Sequence, residues 1–168
     1  MKSQIICNKI KQKKIPNDVF ITPLLLSKKA IDMIEYNKND IWYDPFKATG
    51  SYYNQFPNNN KVYTEITENK DFFEFNDKID IICSNPPYSL INKVLEHCVK
   101  LNPKIINLLL GIINLSPRRI QYMNDNGYYL TKLHLVNVRG WFACNVVVQF
   151  EKDIDKNIIS FDELTYKN

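Results

Sequence analysis

The run Ile79-Asp80-Ile81-Ile82-Cys83 is almost wholly apolar and stops abruptly at Ser84-Asn85-Pro86-Pro87-Tyr88. A short run without alternation is what a strand covered on both faces looks like. Lys104–Leu110 (KIINLLL) has the same character. Between them, Ser89–Leu101 is amphipathic through Ile91, Val94, Leu95 and Val99, the pattern of a helix. Strands alternating with helices imply a parallel sheet with helices packed on its faces.

The flanking sequence extends that pattern. Asp40–Asp44 (DIWYD) and Lys61–Glu65 (KVYTE) read as shorter strands, each ending in an acid. Thr22-Pro23 reads as a helix start, with a capping hydroxyl and proline at the first helical position. Its apolar face would be Leu24, Leu25, Ala30, Ile31 and Ile34, continuing to Tyr36. Thr49–Phe56 reads as one or two helical turns and Asn58–Asn60 as a turn. Ser116-Pro117 opens a further helix that ends near Gly127. Tyr128–Val138 alternates and meets Phe142–Glu151 across Arg139-Gly140-Trp141, an antiparallel hairpin expected to add an edge to the sheet. The expected fold is therefore α/β: a mostly parallel Rossmann-like sheet, a C-terminal antiparallel hairpin and helices on both faces. Residues 1–17 form a polar, basic arm containing Lys9, Lys11, Lys13 and Lys14, and 153–168 form a tail.

Composition bounds the function. With 45% hydrophobic and 24% charged residues, the chain has the balance of a globular protein rather than a disordered one. A net charge of +4 permits nucleic-acid binding without demanding it. The cysteines Cys7, Cys83, Cys98 and Cys144 form no C-x-x-C pair and have no histidine at zinc-like spacing. Buried free thiols in a reducing compartment are expected, and no metal. On a helical wheel His97 faces away, His134 lies in a strand, and neither is given a role. No apolar run reaches the roughly 20 residues of a membrane helix. The start shows no signal-peptide pattern. The expectation is a cytoplasmic protein without a membrane partner, whether cellular or encoded by a phage or virus acting in its host.

The segment after the Ile79–Cys83 strand is the candidate catalytic loop. In open α/β sheets, ligands bind beyond the carboxyl ends of the strands. Pro86 and Pro87 stiffen the backbone and remove two N–H donors. Asn85, which precedes a proline, is held extended. What remains is a stiff corner rich in acceptors, the Asn85 side-chain oxygen and the Pro86 carbonyl, beside the Tyr88 ring. An amino group on an adenine ring is a poor nucleophile because its lone pair is delocalised. Two acceptors that hold its two hydrogens pull the nitrogen toward tetrahedral geometry and aim the lone pair at an electrophilic carbon. Tyr88 would stack on the base, worth about 1–3 kcal/mol by analogy with single-strand binders. The competing reading of the four residues is a rigid turn without chemistry.

Asn85-Pro86-Pro87-Tyr88 resembles motif IV of the S-adenosylmethionine-dependent amino-methyltransferases, most closely the DNA N6-adenine enzymes. Asp44-Pro45-Phe46-Lys47-Ala48-Thr49-Gly50 resembles their motif I, with Ala48 in place of the first glycine. Glu65, 21 residues after Asp44, stands where an acid meets the cofactor ribose, with Ile66 beside it. Asp71-Phe72 resembles motif III, which meets the cofactor's adenine. Phe20-Ile21-Thr22-Pro23 resembles motif X, which covers the methionine end. The resemblance covers about residues 18–150 and implies S-adenosylmethionine as cofactor. It makes residues 18–152 the catalytic domain and Asn85 both a catalytic and a cofactor-side residue.

The same resemblance implies an aromatic in the last hairpin that holds the target base, here Trp141 and Phe142. Arg118, Arg119 and Arg139 are the candidate phosphate contacts of a DNA substrate. Only 14 residues separate Glu65 from Asp80, so the family's usual helix–strand–helix must shrink to a stub around Asp71–Phe75. No segment is long enough for a separate target-recognition domain. A second subunit supplying recognition, or a homodimer, is therefore expected. Two alternatives stay open at this level. One is RNA adenine or protein glutamine as acceptor with the same loop. The other is a catalytically weak partner that binds nucleic acid or a subunit.

Overall fold

A computed structural model describes residues 21–141, 144–154 and 157–159. Helix α1 spans Leu24–Asp32 and strand β1 Trp42–Asp44, followed by β2, Lys61–Tyr63, and β3, Ile81–Ser84. Helix α2 spans Ile91–Leu101, β4 Ile105–Gly111, α3 Pro117–Asp125, β5 Tyr128–Val136 and β6 Asn145–Lys152. The strands form one sheet in the order β2-β1-β3-β4-β6-β5. β1 to β4 are mutually parallel, with Tyr43 opposite Val62 and Ile82 and with Ile82 opposite Ile106. β6 runs antiparallel to both β4 and β5. This is the expected α/β architecture.

Period-2 alternation divides the core between the two faces. On β3, Ile81 and Cys83 pack with Ala30 and Ile31 of α1, while Ile82 packs with Val94 and Leu95 of α2 and Met123 of α3. Helices thus cover both sides, and β3 and β4 are buried at every position. The hairpin adds an antiparallel edge to the sheet, as expected. Its second strand is inserted beside β4, leaving β5 at the edge. The burial explains it: Val146, Val147, Val148 and Phe150 are all inaccessible, whereas much of β5 is only half-covered. An apolar run belongs inside a sheet and an alternating one at its margin. A bulge between Leu130 and Lys132 adjusts the β5–β6 register.

Several local expectations are corrected. Pro23 occupies the cap position of α1 rather than its first turn, and Thr22 makes no cap; the Pro23 carbonyl accepts from Leu26 and Ser27 N–H instead. Leu24 and Leu25 are exposed, and the helix ends at Asp32, short of Tyr36. Cys83 and Cys98 are buried free thiols, but Cys144 is exposed, because it precedes β6 rather than lying in it. Cys7 and the basic arm lie outside the described residues. His97 does not face away. It donates from Nε2 to the Phe75 carbonyl at 2.9 Å and meets the Phe72 ring edge-on at 4.6 Å.

That contact anchors the β2–β3 connection, which is the expected stub: two 3-10 turns, Ile66–Glu68 and Phe72–Glu74. Phe75 stacks on Tyr43 at 4.3 Å, so aromatic packing covers this side of the sheet where a helix would otherwise stand. No described helix is long and apolar enough to cross a membrane.

Candidate active site

The ends of β1, β2 and β3 meet at the carboxyl edge of the sheet, and Asp44 ties them together. It is wholly buried. Oδ1 accepts from the Ser84 hydroxyl at 2.6 Å and from Phe46 N–H at 3.3 Å, and Oδ2 accepts from Tyr53 N–H at 3.2 Å. Burial pushes its carboxyl up to about 6, against these hydrogen bonds, which favour the charged form. Asp44 is therefore a strut behind the site and does not line the cavity described below. Its carboxylate oxygens accept from Ser84 at the end of β3 and from the backbone of the segment that follows β1.

The turn Pro45–Gly50 keeps its left-handed geometry despite Ala48, which adopts φ 44°, with Gly50 at φ 85°. A left-handed alanine costs about 1–2 kcal/mol. What holds it is Glu65, whose Oε2 accepts the Ala48 N–H at 2.7 Å. Lys47 N–H donates to the Thr64 carbonyl at 3.2 Å, and the Thr64 hydroxyl donates to the Pro45 carbonyl at 2.7 Å. The Glu65 Oε1 also accepts from the backbone and the hydroxyl of Thr67, at 3.1 and 2.8 Å. Burial pushes the Glu65 carboxyl up, but these bonds outweigh it and hold the group below its ordinary value. Asp71 caps the next turn by accepting from Phe73 N–H at 2.9 Å.

At the corner after β3, the Asn85 side-chain amide donates to the Thr22 hydroxyl at 3.2 Å. This contact spans 63 residues and sets the rotation of the amide. Pro86 is buried, Pro87 leads into the 3-10 turn Tyr88–Leu90, and α2 follows from Ile91 rather than from Ser89. The Tyr88 ring lies beside Gly111, and its hydroxyl is inaccessible to solvent.

One cavity of about 380 Å³ joins these loops. Of the candidate residues, Thr22, Pro45, Phe46 and Glu65 line it, as do Ile66, Asp71, Phe72, Asn85 and Pro87. Asp44, Gly50, Pro23, Pro86 and Tyr88 do not: Asp44, Gly50 and Pro86 are buried, Pro23 is exposed and borders a separate hollow with Leu25 and Arg139, and the Tyr88 ring lies beside Gly111. Sequence reasoning missed Ser51, Tyr52, Phe73 and Leu90 as lining residues, and gave no role to Ile21, Lys47, Ala48 and Thr49, which lie within the quoted motifs and also line it. The signal for Ser51 and Tyr52 was present, since they follow Gly50 directly into a helical turn. Phe20 and Phe142 lie outside the described residues.

The basic candidates are not gathered at this cavity. Arg119 is engaged with Asn92 at 2.8 Å and with the Asn114 carbonyl at 2.9 Å, so it braces the start of α2. Burial lowers its pKa. Arg118 is exposed beside it, and the two border a separate hollow with Glu96 and Tyr122. Arg139 is exposed near Leu25 and Lys29, and Trp141 is half-buried against the α1 side of the core. Among the described residues no cluster of His, Cys, Asp and Glu is placed to hold a metal ion.

No family model matches the sequence, and no curated protein matches it. Solved structures do match in shape. Magnesium protoporphyrin IX methyltransferase from Synechocystis PCC 6803, with bound SAH, superposes at TM-score 0.56 and 11% identity over 77% of this chain and 83% of its own. A candidate hemolysin from Lactococcus lactis superposes at 0.57 and 11% identity, over 77% and 86%. The 23S rRNA methyltransferase ErmE gives 0.55 and 9% identity, over 84% and 73%. At these identities the likeness is one of fold: the chain has the Rossmann-like methyltransferase fold.

Proposed function

We propose that this chain is an S-adenosylmethionine-dependent methyltransferase that acts on the exocyclic amino group of adenine in DNA. One observation carries the reading: Asn85 and Pro87 open on the same cavity as Glu65, Asp71 and Phe72. A rigid turn without chemistry would have no reason to share a chamber with Glu65, just after β2, and Asp71, in the connection that follows.

The cavity suits the cofactor. Its volume is in the range of small-molecule sites, about 300–1,000 Å³. Phe46, Ile66, Phe72 and Phe73 offer apolar faces for a purine, Asp71 an acceptor for its amine, and Glu65 an acceptor for ribose hydroxyls. Three of the four lone-pair positions of Glu65 are used inside the protein, on Thr67 and Ala48, which leaves capacity on Oε2. Thr22, Thr49, Ser51 and Tyr52 supply hydroxyls for a polar tail. When bound, S-adenosylmethionine supplies a methyl already activated as a sulfonium, so no metal is required.

The chain's own task is orientation. Thr22 accepts one amide hydrogen of Asn85 and so presents the amide oxygen from a fixed direction. That oxygen and the Pro86 carbonyl hold the two hydrogens of the target amine, and the stiff backbone keeps both dipoles in place during the transfer. In duplex DNA the base must leave the stack, at a cost of a few kcal/mol. The exposed Arg118 and Arg139 are the phosphate contacts of this reading.

The test is to sequence DNA modifications in an unmethylated host with and without expression of the chain. New N6-methyladenine in the expressing host supports the proposal. Its absence, together with transfer of labelled methyl to RNA or protein in vitro, moves the acceptor to RNA adenine or a glutamine amide. No transfer to any of the three sinks the enzyme reading in favour of a binding partner.

A further inference from the structure

The Tyr52 hydroxyl has no hydrogen-bond partner among the described residues. The Tyr52 ring is packed among Ala30, Ile31, Trp42, Phe56 and Ile81, and the side chain is only 3% exposed. The hydroxyl is shielded from solvent. Buried hydroxyls are normally paired, because one left unpaired forfeits its hydration without return. A phenylalanine would fill the same space without that cost. Tyr52 also lines the cavity, together with Thr22 and Asn85.

The surroundings define what the hydroxyl can bind. Burial, reinforced by the fields of Cys83, Asp44 and Tyr88, holds its ionisation far above the ordinary value, so it stays a proton donor. The Thr22 oxygen already accepts from Asn85, which turns the Thr22 hydrogen elsewhere. Thr22 and Tyr52 therefore both offer hydroxyl donors to the same cavity, while the Thr49 and Ser51 hydroxyls lie 3.4 Å from each other. Among the described lining residues the only cation is Lys47, whose ammonium pairs with Glu68 at 2.7 Å. An anionic group entering this chamber must be held by neutral donors. Two O–H groups suit the two oxygens of a carboxylate.

We infer that the Tyr52 hydroxyl, with Thr22, holds the carboxylate at the amino-acid end of the methyl donor. The inference rests on the cofactor reading above and adds a positioning residue to it. Tyr52 grips the tail of the donor and takes no part in the chemical step.

The experiment uses Tyr52→Phe in the full chain with two ligands. S-adenosylhomocysteine keeps the carboxylate, and 5′-methylthioadenosine lacks the whole amino-acid end. Calorimetry should show S-adenosylhomocysteine binding weakened about tenfold by the substitution, and 5′-methylthioadenosine changed by less than about twofold. The ligand-free variant should melt at the same temperature as the wild type or higher, since an unpaired polar group has been removed. Equal losses for both ligands would overturn the inference, because they would report ring packing rather than a carboxylate contact. An unchanged affinity for S-adenosylhomocysteine would also overturn it. So would a fall in ligand-free melting temperature of more than about 5 °C, which would mean the hydroxyl had a partner within the fold. A wild-type chain that binds neither ligand defeats the cofactor reading itself. Wild-type binding that Tyr52→Phe leaves untouched defeats only the role of Tyr52.

Discussion

The turn after β1 and the corner after β3 lie side by side at one edge of the sheet and are held rigid by opposite means. Pro45–Gly50 is held by hydrogen bonds: Asp44 grips it from beneath, Glu65 and Thr64 from beside, and Ala48 sits in a left-handed conformation that these contacts enforce. The corner Asn85–Tyr88 is held by covalent geometry, since Pro86 and Pro87 have no freedom in φ. The difference decides which side chains are left for chemistry. In the first turn the acid that resembles a ligand is consumed by the scaffold. In the second the backbone stiffens itself, and the Asn85 amide donates to the Thr22 hydroxyl. The Ser84 hydroxyl on Asp44 couples the two regions at 2.6 Å.

The contrast breaks most visibly at Asn85. If the corner is chemistry and the turn is scaffold, Asn85→Ala lowers methyl transfer at least about 100-fold. Folding and S-adenosylhomocysteine affinity should stay near the wild-type values. Transfer assays beside calorimetry separate the two effects, and a collapse of affinity would place Asn85 in the binding wall alone.

Asp44→Asn tests the other half. The amide still accepts on one side but opposes the Tyr53 N–H with its own hydrogens, so the variant should be less stable by about 2 kcal/mol at pH 4. The pH dependence sharpens the test. Asp44 is raised from 3.8 to about 6 in the folded chain, which thus holds this proton more tightly than the unfolded one. Stability linked to the group is fully present below about pH 4 and is lost as pH rises through about 6. The gap between wild type and Asp44→Asn in denaturant melts should narrow from pH 4 to pH 7. A gap that widens would mean that Asp44 is stabilised as the charged form.

The smallest effect is expected at Ala48. Ala48→Gly relieves the left-handed strain but adds unfolded-state entropy, so stability should rise by no more than about 1 kcal/mol, with transfer unchanged. A loss of stability would show that the alanine methyl makes a contact the turn requires.

Much of this arrangement was legible residue by residue. The apolar runs at Ile79–Cys83 and Lys104–Leu110 became β3 and β4 within one residue or two. Glu65 was picked out by its distance from Asp44 and Asp71 by the resemblance of Asp71-Phe72 to motif III, and both line the cavity. What escaped was the use made of side chains that look local. Thr22 reads as a helix cap but serves Asn85, 63 residues on. His97 reads as facing away but closes over Phe72 and Phe75. Arg119 reads as a phosphate contact but braces Asn92 and Asn114.

The division has a physical cause. Apolar periodicity and the stiffness of consecutive prolines act between neighbours in the chain, so strands, helices and the Asn85–Tyr88 corner follow from the order of residues alone. The partner of a hydroxyl or a carboxylate depends on which segments packing brings within about 3 Å. Only the assembled sheet could turn Asp44 inward to become a strut, insert β6 beside β4, and leave the Tyr52 hydroxyl buried on the cavity wall without a partner among the described residues.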